Sequence, residues 1–324
     1  MRKAAFEWML KQVEELTPSQ RKRLRKRIEA RVGTPTAVRI AEGTNGDEAA
    51  CPHCAAPAAK RWGNANGLHR WRCRACGRTF NALTGTPLAH LHKKECWEEF
   101  ASCLGETLTV RASAERSGVH RTTAFRWRHR FLQDPAEHQS DHLQGIVEAD
   151  ETFFLESKKG SRHLGRNARK RGGVAKQRGR SSEQVCVLVA MDRGGAERDR
   201  VMPGLNADTI AETLDPVLAK DAVLCTDGLN SYKAYARKAG IEHKAVNLSA
   251  GIRVVEGVFH IQHVNAYHHR LKGWMAGFHG VSTRYLKNYL GWRRLIETHA
   301  RRLDPADVLS AALGRIDHQQ HSLT

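Results

Sequence analysis

A chain of 324 residues is long enough for about two domains and at least one substantial core, and its 40% hydrophobic content lies well above the disordered range. Its charge is lopsided: 53 Lys and Arg against 34 Asp and Glu give +19 at pH 7, which favours a polyanion, nucleic acid foremost, because each phosphate neutralised releases condensed counterions. The longest apolar run, Val185 to Met191, is seven residues against the roughly 20 of a membrane span, and Arg2, Lys3, Glu7 and Lys11 interrupt any secretory core. The expectation is therefore a protein of the cytoplasm or nucleoid with no membrane partner, in which eight cysteines point to metal or burial rather than disulfides.

Residues 1–33 read as two short helices. Phe6, Met9, Leu10, Val13 and Leu16 share one face of the first, and seven basic residues crowd 21–31; a helical hairpin or dimerisation arm is the plainer reading than a DNA reader. Residues 34–50, rich in Gly, Thr and Ala with no apolar period, read as a linker. Two knuckles follow, Cys51-Pro-His-Cys54 and Cys73-Arg-Ala-Cys76, separated by 18 residues. Tetrahedral zinc wants four thiolates, and Cys51, Cys54, Cys73 and Cys76 present them from two facing turns. The stretch between, with Asn66-Gly67 and Leu68-His69-Arg70-Trp71, reads as strand, turn, strand, so the whole is a zinc ribbon with structural Zn²⁺ and His53 as a spectator. Cys96, Cys103, Cys186 and Cys225 have no paired spacing and read as ordinary buried thiols.

A helix over Lys94 to Gly105 is followed by a helix-turn-helix pattern. Ala114 allows a close crossing, Gly118 takes the turn, and Val119, Ala124 and Trp127 are the apolar positions. Its second helix would present Arg121, Thr122, Arg126, Arg128 and Arg130 to a major groove, where arginines read guanine or grip phosphate. Residues 133–144 read as a boundary. Beyond it, Ile146 to Phe154 alternates as a strand, Gln184 to Met191 is an apolar strand, Arg198 to Met202 a third, Asp208 to Leu218 a helix and Ala222 to Gly228 a buried strand ending in an Asp-Gly turn. Lys244 to Asn247 reads as one more strand, before helices over Phe259 to Phe278 and Thr283 to Ala300. Consecutive strands that then alternate with helices predict a mixed α/β sheet flanked by helices. The organisation expected is an arm and linker (1–45), the ribbon (46–90), the helix-turn-helix region (91–135), the α/β domain (145–303) and a C-terminal helix and tail (304–324).

Carboxylates at strand ends stand out in so basic a chain, since beside a phosphate backbone they repel unless a cation intervenes. Asp150 and Asp227 each follow an apolar strand. If those strands are neighbours the two converge, and paired hard-oxygen ligands suit Mg²⁺ or Mn²⁺; taken singly, each could cap a turn. Glu148 and Glu151 read as alternating onto the opposite pleat from Asp150. His260, His263, His268 and His269 read as helix-surface or phosphate-contacting side chains rather than a transition-metal site.

The ribbon, the phrase Asn81-Ala-Leu-Thr-Gly-Thr-Pro-Leu88, the helix-turn-helix ending Phe125-Arg-Trp-Arg, the strand Glu148-Ala-Asp150-Glu151-Thr152, the turn Thr226-Asp227-Gly228 and the helix His263 to Lys272 together resemble the zinc-ribbon transposases of bacterial insertion sequences, the ISXO-like family, from about residue 45 to 300. The resemblance implies a ribonuclease H-like core of the DDE class, with Asp150 and Asp227 as the first two members of its triad. The third is usually Glu with a basic residue seven positions later. Here those places hold Asn265 and Lys272, which share a helical face about two turns apart, so Asn265 stands as a neutral oxygen ligand. Glu256 is an alternative third carboxylate, though it precedes the helix and lacks the basic spacing. The implied activity is metal-dependent cleavage and transfer of double-stranded DNA, using the element's terminal inverted repeats and a target, by a homodimer or higher oligomer. Residues 158–180, with ten Lys or Arg and no acid, would form a strap that orders on DNA, or else a solvated loop. Two further readings compete: a catalytically inactive zinc-ribbon regulator and a structure-specific metallonuclease.

Overall fold

The computed structural model describes residues 3–21, 24, 36–43, 50–57, 59–167, 169, 173–176, 181–247, 250–299 and 303–315. Two compact units, Met1–Glu99 and Phe100–Thr324, each enclose their own buried cluster. No helix among the described residues is long and apolar enough to cross a membrane.

In the first unit, helix α1 (Lys3–Glu14) forms where the apolar period places it, with Phe6, Trp8, Met9 and Leu10 exposed. Most of the second expected helix lies outside the described residues. The expected linker is in part a helix, α2 (Thr36–Glu42), with Ala37, Val38 and Ala41 buried. Alanine is the best helix former, and a stripe built largely from it escapes a search for larger apolar residues. Strands β1 (Ala59–Ala65), β2 (Leu68–Cys73) and β3 (Thr79–Phe80) make a three-stranded antiparallel sheet. The β1–β2 turn is Asn66-Gly67, both at positive φ (53° and 76°), the conformation that an Asn-Gly hairpin turn adopts.

The division between the units falls within α3 (Trp97–Gly105), and the second unit continues with α4 (Val110–Arg116) and α5 (Arg121–Phe131). Thr109 caps α4, the turn passes through Gly118 at φ 64°, and His120 caps α5 through its ring nitrogen. The apolar stripe of α5 is Ala124, Trp127 and Phe131, with Phe100 edge-on to both aromatic rings. Residues 133–144, read above as a boundary, begin with the short helix α6 (Gln133–Glu137), which packs on the later helix α10 (Leu286–Thr298). The approach is close: a Cβ at Gly291 would lie 2.5 Å from Ala136 Cα. Buried Arg294 of α10 pairs with Asp199 and donates to the Pro135 and His138 carbonyls at 2.9 and 3.1 Å.

The sheet contains β4 (Ile146–Leu155), β5 (Gln184–Asp192), β6 (Glu197–Met202), β7 (Val223–Thr226) and β8 (Glu242–Ala245), in the order β6-β5-β4-β7-β8. β4, β5 and β6 form an antiparallel meander, while β4–β7 and β7–β8 pair in parallel. This is the expected mixed sheet flanked by helices. Its middle strands are buried on both faces, hence the unbroken apolar run in β5. One face, with Val147, Ala149, Leu188 and Leu224, packs against α7 (Ala207–Leu214) and α8 (Asn230–Ala239). The other, with Val187, Val189 and Cys225, packs against α9 (Gln262–Ala276) and α10. Helix α8 has no counterpart in the sequence reading, because tyrosines (Tyr232 and Tyr235) and Ala236 supply its buried side. Helix α11 (Pro305–Ala312) ends the described chain, its N-terminus capped by Asp304.

Candidate active site and metal centre

Parallel pairing sets Ile146 opposite Val223, Val147 opposite Leu224 and Glu148 opposite Cys225. Continued by the same step, the register would set Asp150 opposite Asp227, one residue past the end of β7. Asp227 is exposed in its Asp-Gly turn, where Oδ1 accepts the Leu229 amide at 3.0 Å. The turn needs glycine: Gly228 has φ 83°, and a Cβ there would press on Ala245 Cβ at 3.2 Å. Burial first, then Glu151, Asp150 and Asp227, holds the Tyr232 hydroxyl well above its ordinary pKa, so all three carboxylates lie within electrostatic reach of one buried group.

Helix α9 crosses the sheet face that bears Asp150. Its residues Asn265, His268 and Lys272 follow a spacing of three and four, which stacks them along one stripe. His268 is buried at 7% exposure and sets Nδ1 3.6 Å from Asp150 Oδ2; Asn265 and Lys272, a turn to either side, are exposed. Thus His268 is no surface histidine, unlike exposed His269. Glu256, the alternative third carboxylate, is exposed and ion-paired with Lys244 at 2.7 Å ahead of α9.

Glu148 corrects the reading of the pleat. Residues two apart point to the same face, so Glu148 sits beside Asp150 under α9, and Glu151 alone takes the opposite side. Glu148 is 1% exposed. Its Oε2 accepts the His263 and Val264 amides at 2.8 and 3.2 Å, and its Oε1 lies 2.7 Å from His263 Nδ1, 3.3 Å from His260 Nδ1 and 3.0 Å from an Arg193 guanidinium nitrogen. Helix α9 has no side-chain cap of its own. A carboxylate from the neighbouring strand satisfies its free amides instead, where the helix dipole favours negative charge. The two histidines and Glu148 could in principle ligate a metal, but that carboxylate is already filled by hydrogen-bond donors.

In the first unit the four thiols converge. Cys51 and Cys76 Sγ are 3.7 Å apart, Cys54 and Cys73 Sγ 3.6 Å, and none forms a disulfide. A tetrahedron with Zn–S of about 2.3 Å has sulfurs about 3.8 Å apart, so the cluster fits zinc. The His53 amide points at Cys51 Sγ and the Cys76 amide at Cys73 Sγ, each at 3.4 Å; the latter holds the Cys73 thiol down at about 7. The histidine between the first pair stays outside the cluster. Trp71 and Phe80 stack beside the buried Cys51 and Cys73 as a core of four side chains.

On α5, Arg121, Thr122 and Arg126 are exposed and Arg130 is half-buried, but Arg128 is 1% exposed. It falls on the stripe of Ala124, Trp127 and Phe131, donates to the Leu108 carbonyl and Ser113 Oγ, and lies over the Trp292 ring at 5.0 Å. Arg128 therefore joins α5 to the rest of the unit and faces no groove, a correction that the helical period itself could have supplied.

Residues 142–293 match the family described as the ISXO2-like transposase domain. A protein of Halobacterium salinarum described as an uncharacterized protein in transposable element ISH50 is 28% identical over 245 residues, covering 74% of this chain and 82% of that protein. Among solved structures, a pre-cleavage Mos1 transpososome is 13% identical over 71% of this chain and 82% of its own, with a TM-score of 0.17. A Mos1 transposase paired-end complex with left transposon end is 12% identical over 69% and 81%, with a TM-score of 0.15. Such TM-scores carry no correspondence of fold or site.

Proposed function

We propose that the chain is an insertion-sequence transposase of the ISXO2-like kind, a reading supported by the match of residues 142–293, and that it binds the ends of its element as double-stranded DNA and catalyses metal-dependent strand cleavage and strand transfer on a ribonuclease H-like core. What supports the reading is the β4–β7 register, which continued past Cys225 sets Asp150 opposite Asp227, together with His268, whose Nδ1 lies 3.6 Å from Asp150 on the helix stripe that also carries Asn265 and Lys272. Two carboxylates and an amide are hard oxygen donors suited to Mg²⁺ or Mn²⁺; held there, such ions would acidify water and neutralise charge on the attacked phosphate. His268 steadies Asp150, Glu148 holds the first turn of α9 and so the axial position of Asn265, and Lys272 grips a DNA phosphate.

The remaining parts fit the same reading. Cys51, Cys54, Cys73 and Cys76 hold structural zinc, and a single zinc ion per chain is expected by elemental analysis, lost in Cys54→Ser together with the ordered fold of the ribbon, because so small a module has little other core. Helix α5 contributes Arg121, Thr122, Arg126 and Arg130 to DNA; of the basic segment 158–180 expected to act as a strap, residues 168, 170–172 and 177–180 lie outside the described residues. A homodimer or larger assembly would hold both element ends and the target. If Arg121 neutralises a phosphate, Arg121→Ala lowers the salt dependence of DNA binding by about one counterion, measured by titration at several salt concentrations. The central test is incubation of the full chain with a plasmid carrying the element's ends. Nicking at those ends and joining to new sites, both requiring Mg²⁺ or Mn²⁺, are expected. Specific binding with no cutting would establish the regulator instead, and cutting of junctions or hybrids without end joining would establish the nuclease.

A further inference from the structure

A cavity of about 810 Å³ opens beside the far end of the proposed active site. Its lining combines the half-buried Phe154, Leu164 and Met275 and the buried Leu286, taken as its apolar floor, with the exposed cations Lys158 and Lys272, taken as its rim. Two elements lead to it directly from the proposed catalytic residues. Phe154 is four residues beyond Asp150 on the same pleat of β4, about 13 Å away. Lys272 is seven residues beyond Asn265 on α9, about 10 Å away. The one carboxylate on the cavity wall, Glu156, lies 3.9 Å from Lys158 and 3.8 Å from Arg166, so its charge is offset. Lys158 also donates to the Leu164 carbonyl at 3.0 Å, and Lys159 donates to the Gly280 carbonyl at 2.7 Å, tying the segment to the cavity mouth. Lys272, by contrast, makes no hydrogen bond or ion pair among the described residues.

An apolar floor beneath a positive rim does not suit a backbone phosphate, which would leave the floor unused. It suits a whole nucleotide, with its base inside and its phosphate at the rim. We infer that this cavity receives a base drawn out of the DNA stack close to the cleaved phosphate, with Phe154 offering the ring on which the base stacks and Lys272 holding the phosphate at the mouth. The inference rests on the transposase reading and adds a substrate subsite to it. At about 3.4 Å per stacked step, the base is one of the few nearest the scissile bond.

The test places 2-aminopurine, whose fluorescence rises on unstacking, in turn at each position within about three nucleotides of the cleaved phosphate in an end duplex mixed with the full chain without divalent metal. A several-fold rise at one position is expected, absent at the distal end of the same duplex. It should be lost in Ala276→Trp and in Leu164→Trp, which fill the cavity from two different segments of the chain, so that a folding defect in one variant does not decide the outcome. Free deoxyadenosine monophosphate, as competitor, should suppress the rise. If no position responds while the wild-type chain cleaves the same ends with Mg²⁺, the cavity proposal is wrong and the transposase reading stands. A rise that persists in both tryptophan variants places the unstacked base elsewhere and overturns the proposal equally. Absence of both response and cleavage removes the proposal along with the reading beneath it.

Discussion

Asp150→Ala and Asp227→Ala are each expected to reduce strand cleavage about a thousandfold, as measured on end-bearing DNA at saturating Mg²⁺. On the proposed function each substitution removes one of two carboxylates that would hold a shared divalent ion, and a loss of about 4 kcal/mol of transition-state stabilisation corresponds to about three powers of ten in rate. DNA binding should survive or tighten, because in a chain of +19 these carboxylates repel phosphate when no cation intervenes. Asn265 offers a graded comparison. Alanine there removes the oxygen donor and should cost activity, whereas Asn265→Glu supplies the charge that the wider DDE pattern carries and should preserve it or shift its metal preference. Cleavage by Asp150→Ala at the wild-type rate would mean that Asp150 is a structural residue of β4 rather than a catalytic one.

Glu148→Ala should lower stability by about 3–5 kcal/mol, the usual consequence of removing one partner from a buried charged pair, and the melting temperature by about 10 °C. The Arg193 guanidinium and the His263 and Val264 amides, at 3.0, 2.8 and 3.2 Å from this carboxylate, would be left beside an apolar gap. Glu148→Gln keeps the shape and an acceptor oxygen but not the charge, so its loss should be smaller. The alanine variant should also lose cleavage, since the first turn of α9 fixes Asn265. Hydrogen exchange of the His263 and Val264 amides separates this from general unfolding: those amides should open in Glu148→Ala while the β4–β5 ladder stays protected. A melting temperature unchanged in Glu148→Ala, within the roughly 0.5 kcal/mol of an ordinary surface substitution, would show that α9 is held by its apolar face alone.

The contrast between Asp150 and Glu148 marks the limits of reading locally. Asp227 follows its strand as expected, whereas Asp150, expected at a strand end, lies in the middle of β4, because the strand runs on through Thr152 to Leu155; the four cysteines were legible because two CxxC pairs have few other uses. The cysteines meet at separations that a zinc tetrahedron fits, and the strands of the α/β sheet lie close to their expected bounds, with β8 displaced by two residues. Glu148 and His268 stand on the right periods too, i−2 from Asp150 and i+3 from Asn265, yet their period says only which face they occupy and nothing of what waits there.

Sequence by itself determined the periodic and the covalently close: buried strands, the Asn-Gly and Asp-Gly turns, the paired thiols, and the stagger of Asn265 and Lys272 on one stripe. Tertiary structure alone decided the partners of isolated polar groups. Glu148 meets His263 across 115 positions, and Arg128 meets Tyr289 across 161. The physical reason is that burial of apolar surface is nondirectional and leaves a repeating trace along the chain, whereas a buried charge is tolerated only where specific donors or acceptors converge on it. Those groups come from elements that folding brings together, and no local pattern records them.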